Sequence, residues 1–190
     1  PYVLPPEQSD MLQEAQIPIV YHDEMRDTKG KLRVLSLFSG CGGMDLGFEG
    51  MFIANRKSFP QDSLYIDHAI NKNWVMLKKT KFKTVFANDI LNEAEVAWTT
   101  YMSRFGYQPE MYHNISIVDL VKMHKQGADI FPKNIEVVTG GFPCQDFSVA
   151  GKRKGFNSDK DDYGKKREGD EPSEETRGKL YYWMKQVIAT

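Results

Sequence analysis

The stretch that decides the fold is RVLSLFSGCGG, residues 33–43. Its first six residues form a short, mostly apolar run, which is typical of a buried parallel strand. A glycine-rich turn, Ser39-Gly40-Cys41-Gly42-Gly43, follows, and a short helix is predicted to begin at Met44. This order lets backbone N–H groups approach a phosphate or carboxylate. We interpret Phe38 to Gly43 as a ligand-binding loop, with a purely structural turn as the alternative.

Strands and helices continue to alternate along the chain. Further strands are predicted at Thr84–Ala87 and Ile135–Thr139, and a closing amphipathic helix at Leu180–Ile188. Between them, five apolar residues share one helical face: Ala94, Ala97, Trp98, Tyr101 and Phe105. The pattern predicts an α/β fold with a doubly wound, mostly parallel sheet, in which ligands bind at the carboxyl ends of the strands.

The remaining segments are less regular. Residues 1–31 are predicted to be a peripheral N-terminal arm, and residues 32–190 the α/β domain. Residues 50–81 are interpreted as a helical insertion with a mobile loop, because Ile66, Ile70, Trp74 and Leu77 have helical spacing. Residues 115–120 are read as a turn or short helix, and the polar residues 151–178 as a long loop.

Composition excludes several classes of protein. The 190 residues carry a net charge of −1, so any contact with DNA must come from a local basic patch. Two cysteines argue against a disulfide scaffold and favour a cytoplasmic setting. No apolar run approaches the ~20 residues of a membrane span, and no Cys/His cluster has zinc-ligand spacing. We therefore expect neither a membrane nor a metal as a partner.

The second informative motif is Gly140-Gly141-Phe142-Pro143-Cys144-Gln145-Asp146-Phe147-Ser148, which follows a predicted strand. The two glycines permit positive φ, and Pro143 fixes the backbone next to the cysteine. A single cysteine on a rigid turn is suited to nucleophilic chemistry if a cation or helix N-terminus raises its thiolate fraction. An arbitrary cysteine is more often an inert buried residue, but this frame favours a nucleophile.

Three weaker motifs accompany these two. Asp89, after the strand ending at Ala87, can accept hydrogen bonds from both ribose hydroxyls of a nucleoside, although acidic residues at such positions also cap helices. The cations of Gly151-Lys152-Arg153-Lys154-Gly155 suit a loop that closes on phosphates, with a solvated charge run as the alternative. Thr176 to Leu180 lies where the last predicted helix begins and is a weak signal alone.

Taken in order, these segments resemble the amino-terminal half of a DNA (cytosine-5) methyltransferase of the bacterial restriction–modification type. Phe38 to Gly43 is similar to the family's S-adenosylmethionine loop, and Asp89 stands where a Glu is more usual. Asn114-Ile115 occupies the place of an Asp-Ile segment that contacts adenine. Gly141 to Ser148 resembles the catalytic motif, and Arg177-Gly178 with Leu180 the motif after it.

The resemblance implies a role for each matching residue. Methyl transfer from S-adenosylmethionine to carbon 5 of cytosine in duplex DNA, with a flipped base, would leave S-adenosylhomocysteine as product. The implied catalytic residues are Cys144, Gln145 and Ser148, and the implied DNA-binding residues are Lys152, Arg153 and Lys154. The implied cofactor-binding residues are Phe38, Ser39, Gly40, Cys41, Gly42, Gly43, Asp89, Asn114, Ile115, Gly141, Pro143 and Leu180.

The chain also departs from the family pattern. The loop from Asn157 to Thr176 is longer than usual, and the Glu-Asn-Val motif and target-recognition domain that should follow are absent before Thr190. We therefore expect a truncated enzyme, inactive by itself and completed by a carboxy-terminal half or a second chain. The alternatives are an inactive cofactor-binding or regulatory fragment and a nucleotide-dependent oxidoreductase. The glycine spacing, which is not G-x-G-x-x-G, argues against the oxidoreductase.

Overall fold

Residues 30–142 and 179–190 are described by the structure, which is a computed structural model. The described residues form two compact units. The first, the sheet unit, comprises residues 30–114 and 134–140, and the second, the helical unit, comprises residues 115–133, 141–142 and 179–190. The predicted cofactor residues Phe38 to Gly43, Asp89 and Asn114 all belong to the sheet unit.

The sheet unit contains two sheets. Its described strands are β1 (Leu32–Leu37), β2 (Ile53–Asn55), β3 (Ile66–Ala69), β4 (Trp74–Leu77), β5 (Phe82–Asp89), β6 (Tyr112–Asn114) and β7 (Val137–Gly140). The larger sheet has the order β6-β5-β1-β7, and all of its described pairs are parallel. From β1 the chain moves outward to β5 and β6, then returns to the other side of β1. This reversal confirms the predicted doubly wound α/β fold.

The described α-helices are α1 (Gly43–Glu49), α2 (Asn92–Met102), α3 (Ile117–Lys125) and α4 (Leu180–Ile188). All four agree with predicted helices, although α3 extends five residues beyond the predicted Leu120. In the sheet unit, α1 follows β1, and α2 lies between β5 and β6 in the chain. The helical unit contains α3 and α4, which pack together, and the Lys125 ammonium donates to the Gln186 side chain at 2.8 Å.

The helix α2 is anchored by Trp98, which is fully buried. Its ring packs against Tyr107 and Tyr112, at centroid distances of 5.8 and 5.4 Å. The predicted helical face is confirmed at Ala94 and Trp98, which are buried, whereas Tyr101 and Phe105 are half-buried at its border. The residues around Trp98 form one apolar cluster beneath the helix: Ala87, Met102, Tyr107, Met111 and Tyr112.

The prediction for residues 50–81 is wrong, because they form a three-stranded antiparallel sheet of order β2-β4-β3 instead of a helical insertion. The apparent helical spacing comes from a hairpin. The Asn71 side chain accepts hydrogen bonds from the N–H groups of Asn73 and Trp74, which reverses the chain between β3 and β4. In β4, Val75 and Leu77 are buried and Trp74 is exposed, so the burial has the two-residue period of a strand.

This small sheet is inserted at the side of the parallel sheet where the strands begin, which we call its amino edge. The chain enters it after α1 and leaves it where β5 begins. The Leu32 N–H donates to the Lys81 carbonyl at 2.8 Å, and the Lys31 ammonium to the Thr80 carbonyl at 2.9 Å, beside the start of β1. The insertion therefore sits at the opposite edge from the carboxyl ends of the strands, where ligands bind in such folds.

A buried carboxyl joins α1 to α2. Asp45 is fully buried, and its Oδ2 accepts a 2.6 Å hydrogen bond from the indole N–H of Trp98. Burial is the largest influence on this group and raises the pKa of Asp45 above its ordinary value. The folded protein therefore binds this proton more tightly than the unfolded chain does.

This linkage predicts how an amide at position 45 changes the pH dependence of stability. A raised native pKa makes the wild-type free energy of unfolding fall as the pH rises above about 4, the ordinary range of a carboxyl. Asp45→Asn keeps an acceptor for Trp98 but cannot ionise. We expect wild-type stability relative to Asp45→Asn to decline between pH 4 and pH 7, measured by urea unfolding. The exposed Asp62→Asn change should leave the pH profile unaltered, and a relative gain with pH would contradict the assignment.

Candidate cofactor site

The predicted cofactor residues of the sheet unit meet at the carboxyl ends of the parallel strands, which we call the carboxyl edge of the sheet. Phe38 to Gly43 follow β1, Asp89 ends β5 and Asn114 ends β6. The parallel register places Asp89 directly opposite Asn114, and Asn88 opposite Leu37 of β1. Three segments that are far apart in sequence therefore form one edge.

Gly40 is held by side chains from β5 and β6. Its N–H donates to Asp89 Oδ2 at 3.0 Å, and its carbonyl accepts a hydrogen bond from the Tyr112 hydroxyl at 3.1 Å. The other Asp89 oxygen accepts from the N–H groups of Ile90 and Leu91, at 2.7 and 3.2 Å. Asp89 is not the cap of α2, whose N-cap residue is Leu91. The carboxylate instead fixes the glycine loop to the end of β5.

Ser39 makes a second connection between β1 and β5. Its N–H donates to the Asn88 carbonyl at 2.8 Å, and its hydroxyl accepts from the Asn88 N–H at 3.1 Å. The same hydroxyl lies 2.9 Å from the Ser36 hydroxyl and 3.0 Å from the Ser36 carbonyl. The buried Asn88 side chain in turn donates to the His113 carbonyl of β6 at 2.8 Å. The loop thus begins from a hydrogen-bonded platform across three strands.

The backbone of the loop requires left-handed conformations. Phe38, Gly40 and Gly42 have φ values of 53°, 52° and 85°. A Cβ on Gly40 or Gly43 would meet no atom within 4 Å, whereas one on Gly42 would lie 2.6 Å from Cδ1 of Trp98. Gly42 therefore packs directly on the buried indole, and the space beside Gly40 and Gly43 is open.

The edge is acidic. Burial first, and then the nearby carboxylates of Asp89 and Glu95, raise the pKa of Tyr112 above its ordinary value. Its hydroxyl therefore stays protonated and remains a donor to the Gly40 carbonyl. An acidic surrounding of this kind suits a ligand that carries positive charge.

Asn114 completes the edge with an oriented amide. Its amine donates to Oδ1 of Asn92 at 2.5 Å and to Oε2 of Glu95 at 2.8 Å. Both acceptors belong to the first turn of α2. A carboxylate can only accept, so the amine of Asn114 must face the helix.

The other predicted site residues are placed as follows. Ile115 follows β6 and is half-buried, Gly141 follows β7 and is exposed, and Leu180 is the buried first residue of α4. Cys41 is an exposed free thiol in the glycine loop. Seven predicted residues lie outside the described residues: Pro143, Cys144, Gln145, Ser148, Lys152, Arg153 and Lys154. The polar loop predicted at residues 151–178 also lies outside them.

Sequence reasoning missed two residues that shape this edge, Tyr112 and Glu95. Tyr112 lies on β6, which has only three residues, too short for a two-residue period to be recognised. Glu95 looks like an ordinary charged residue in the first turn of a helix. Its position three residues after Asn92, on the same helical face, was the available signal.

A doubly wound sheet with a glycine loop after its first strand and an acidic residue ending the next is a nucleoside-binding arrangement. Residues 32–163, more than half of the chain, match the family of C-5 cytosine-specific DNA methylases. The chain therefore belongs to the C-5 cytosine-specific DNA methylase family.

Several bacterial methyltransferases are similar to the chain. Type II methyltransferase M.BsuRI of Bacillus subtilis is 35% identical over 126 residues, covering 65% of the chain and 25% of that protein. M.BspRI of Lysinibacillus sphaericus is 33% identical over 140 residues, covering 70% and 28%. M1.ScrFI of Lactococcus lactis is 27% identical over 183 residues, covering 96% and 32%. The chain thus spans between a quarter and a third of these relatives.

Within residues 30–142 and 179–190, every helix is too short or too polar to cross a membrane.

Gly42, which precedes α1, and Gly47, which lies inside it, provide a matched test of the loop. Gly42→Ala forces a Cβ against Trp98 at a positive φ, so we expect the free energy of unfolding to fall by about 2–4 kcal/mol. Gly47→Ala, at an open helical position, should raise it by about 0.5–1 kcal/mol. Urea unfolding of both variants measures the difference. Equal effects of the two changes would mean that Gly42 does not pack on Trp98.

Proposed function

We propose that this chain is the cofactor-binding and nucleophile-bearing part of an enzyme that methylates carbon 5 of cytosine in DNA, in a restriction–modification system. Membership of the C-5 cytosine-specific DNA methylase family supports this proposal. The observation that carries it is the meeting of the glycine loop, Asp89 and Asn114 at one edge of the sheet.

The residues of this edge fit S-adenosylmethionine. Asp89 offers carboxylate oxygens for the ribose hydroxyls, and the open space beside Gly40 and Gly43 leaves room for a ligand against the loop backbone. The surrounding carboxylates suit the positive sulfonium, and the Asn114-Ile115 segment is proposed to contact the adenine. When bound, S-adenosylmethionine supplies an electrophilic methyl group for carbon 5 of the cytosine and leaves as S-adenosylhomocysteine.

The rest of the proposed cofactor contacts come from the matched motifs. Phe38, Ser39, Cys41 and Gly42 would surround the ligand mainly through the backbone of the loop. Gly141, Pro143 and Leu180 are proposed to contribute from the segments that follow β7 and begin α4. The hydrogen bonds already made to Gly40 mean that this part of the loop is ordered before a ligand arrives, which lowers the entropic cost of binding.

Cys144 is proposed as the nucleophile. Its thiolate adds to carbon 6 of the cytosine, forming an S–C6 bond and moving the ring electron pair to carbon 5, which becomes nucleophilic. After carbon 5 has gained the methyl group, a base removes the carbon 5 proton. The electron pair of that C–H bond re-forms the ring double bond, and the S–C6 bond breaks to release the thiolate.

The target base must leave the duplex for this chemistry, because carbon 6 is inaccessible in the stack. Gln145 is proposed to lie near the gap left in the DNA, and Ser148 near the DNA backbone. Lys152, Arg153 and Lys154 would contact phosphates. Because only three cations are involved, this attraction should be weak, and it should decrease further as the salt concentration rises.

The competing oxidoreductase has less support. The turn between β1 and α1 lacks the G-x-G-x-x-G spacing that dinucleotide enzymes use to approach a pyrophosphate. The family match also favours a methyl donor over a nicotinamide cofactor.

Cofactor binding can be measured on this chain directly. We expect S-adenosylhomocysteine to bind, and Asp89→Asn to weaken binding about tenfold or more, because a neutral amide with one acceptor replaces a carboxylate with two. Isothermal titration calorimetry gives both affinities. The exposed Asp62→Asn, at the insertion, is the matched control and should bind like the wild type. A folded wild-type chain that binds no S-adenosylhomocysteine, or an Asp89→Asn variant with full affinity, would refute the proposed site.

The covalent step is tested in an active enzyme that contains this chain. A duplex with 5-fluorocytosine at the target position should trap an adduct, because fluorine cannot leave as a proton does. We expect Cys144→Ala to abolish the adduct and Cys41→Ala to retain it, since Cys41 is proposed to act through its backbone. Mass spectrometry of the cross-linked peptide identifies the residue. An adduct on Cys41 would overturn the assignment of the nucleophile.

A further inference from the structure

Glu95 is not among the residues implied by the family motifs, yet its carboxylate contacts one of them, Asn114. Glu95 lies on α2, one turn after Asn92, and both accept hydrogen bonds from the amine of Asn114. In the family that the chain resembles, an aspartate usually occupies the position of Asn114. The two carboxylate oxygens of an aspartate are equivalent, so its orientation does not matter. Asn114 has one oxygen and one amine, so the orientation of its amide decides what it can recognise.

Two acceptors on one side of the amide determine that orientation. A carboxylate can only accept hydrogen bonds, so a reversed amide would place the Asn114 oxygen against a negatively charged oxygen of Glu95. Both amine protons of Asn114 are instead used, one on each acceptor. The amide oxygen of Asn114 therefore faces away from α2.

We propose that Glu95 is a positioning residue that fixes the Asn114 amide so that its oxygen accepts a hydrogen bond from the exocyclic amine of a 6-aminopurine. This inference rests on the proposed function, and names the residue that gives its cofactor site a preference for adenine. A 6-oxopurine presents an oxygen at the same place, which would face the Asn114 oxygen without a proton between them.

The surrounding charges make the position sensitive to a change that otherwise looks conservative. Asn114→Asp introduces the residue that is usual for the family, but places its carboxylate about 2.8 Å from Glu95. Two carboxylates at this distance repel unless they share a proton, so an aspartate is disfavoured in the place that the Asn114 amide occupies beside Glu95.

Two ligands and four variants test the proposal by calorimetry at pH 7.5. The ligands are S-adenosylhomocysteine and its 6-oxo analogue, S-inosylhomocysteine. We expect the wild type to prefer the adenosyl ligand, and Glu95→Gln to reduce that preference about tenfold, because a neutral partner lets the amide of Asn114 reverse. Glu93→Gln, the same change on the exposed part of the same helical turn, should keep the wild-type preference.

The charge test uses the other two variants. Asn114→Asp should bind S-adenosylhomocysteine about tenfold more weakly than the wild type, and the double variant Asn114→Asp/Glu95→Gln should recover most of that loss. Recovery in the double variant cannot come from a general loss of folding, because two independent structural defects would add.

The outcomes separate this inference from the function on which it rests. If the wild type binds neither ligand, the proposed cofactor site fails and the role of Glu95 fails with it. If the wild type binds the adenosyl ligand but Glu95→Gln keeps the full preference, or Asn114→Asp binds as well as the wild type, the role of Glu95 is refuted and the cofactor site stands.

Discussion

The hydrogen bond from the Gly40 N–H to the Asp89 carboxylate is the contact on which the rest of the site depends. It joins residues 49 positions apart, the loop after β1 and the end of β5, at 3.0 Å. The Tyr112 hydroxyl binds the carbonyl of the same glycine from β6. With both backbone groups of Gly40 engaged, the loop takes its left-handed conformation before any ligand binds. The same carboxylate is proposed to accept hydrogen bonds from the ribose, so the group that orders the loop would also bind the ligand.

This arrangement makes demands on the residues behind it. The hydroxyl of Tyr112 must remain a donor, and its burial and the neighbouring carboxylates extend the pH range over which it does so by raising its pKa. Gly42 must lack a side chain because Trp98 fills the space beneath it. The indole N–H is in turn satisfied by the buried Asp45. A chain of packing and hydrogen bonds therefore runs from the loop through α2 to the first turn of α1, and a change at one member affects the others.

The sequence predicted those parts whose signals are local and strong. The strand before the glycine turn was predictable from a continuous apolar run, and the helix face around Trp98 and the closing helix from apolar residues at helical spacing; the structure confirms all three. The insertion was misread since Ile66, Ile70, Trp74 and Leu77 happen to lie three or four residues apart across a hairpin, where Asn71 reverses the chain. Tyr112 and Glu95 were not recognised, because their roles arise only when β6 and α2 come together beside β5.

The position of the insertion explains how so long a segment is compatible with the site. It adds a second sheet between α1 and β5, but at the amino edge of the parallel sheet, where the Lys81 carbonyl meets the start of β1. The register of β5 against β1 is set along the strands themselves, from the pair of Leu32 and Phe82 to that of Leu37 and Asn88, with one bulge at Val85. Asp89 therefore reaches Gly40 whatever the chain does between α1 and β5. The distance in sequence between the two residues is free to vary, while their distance in space is fixed by the sheet.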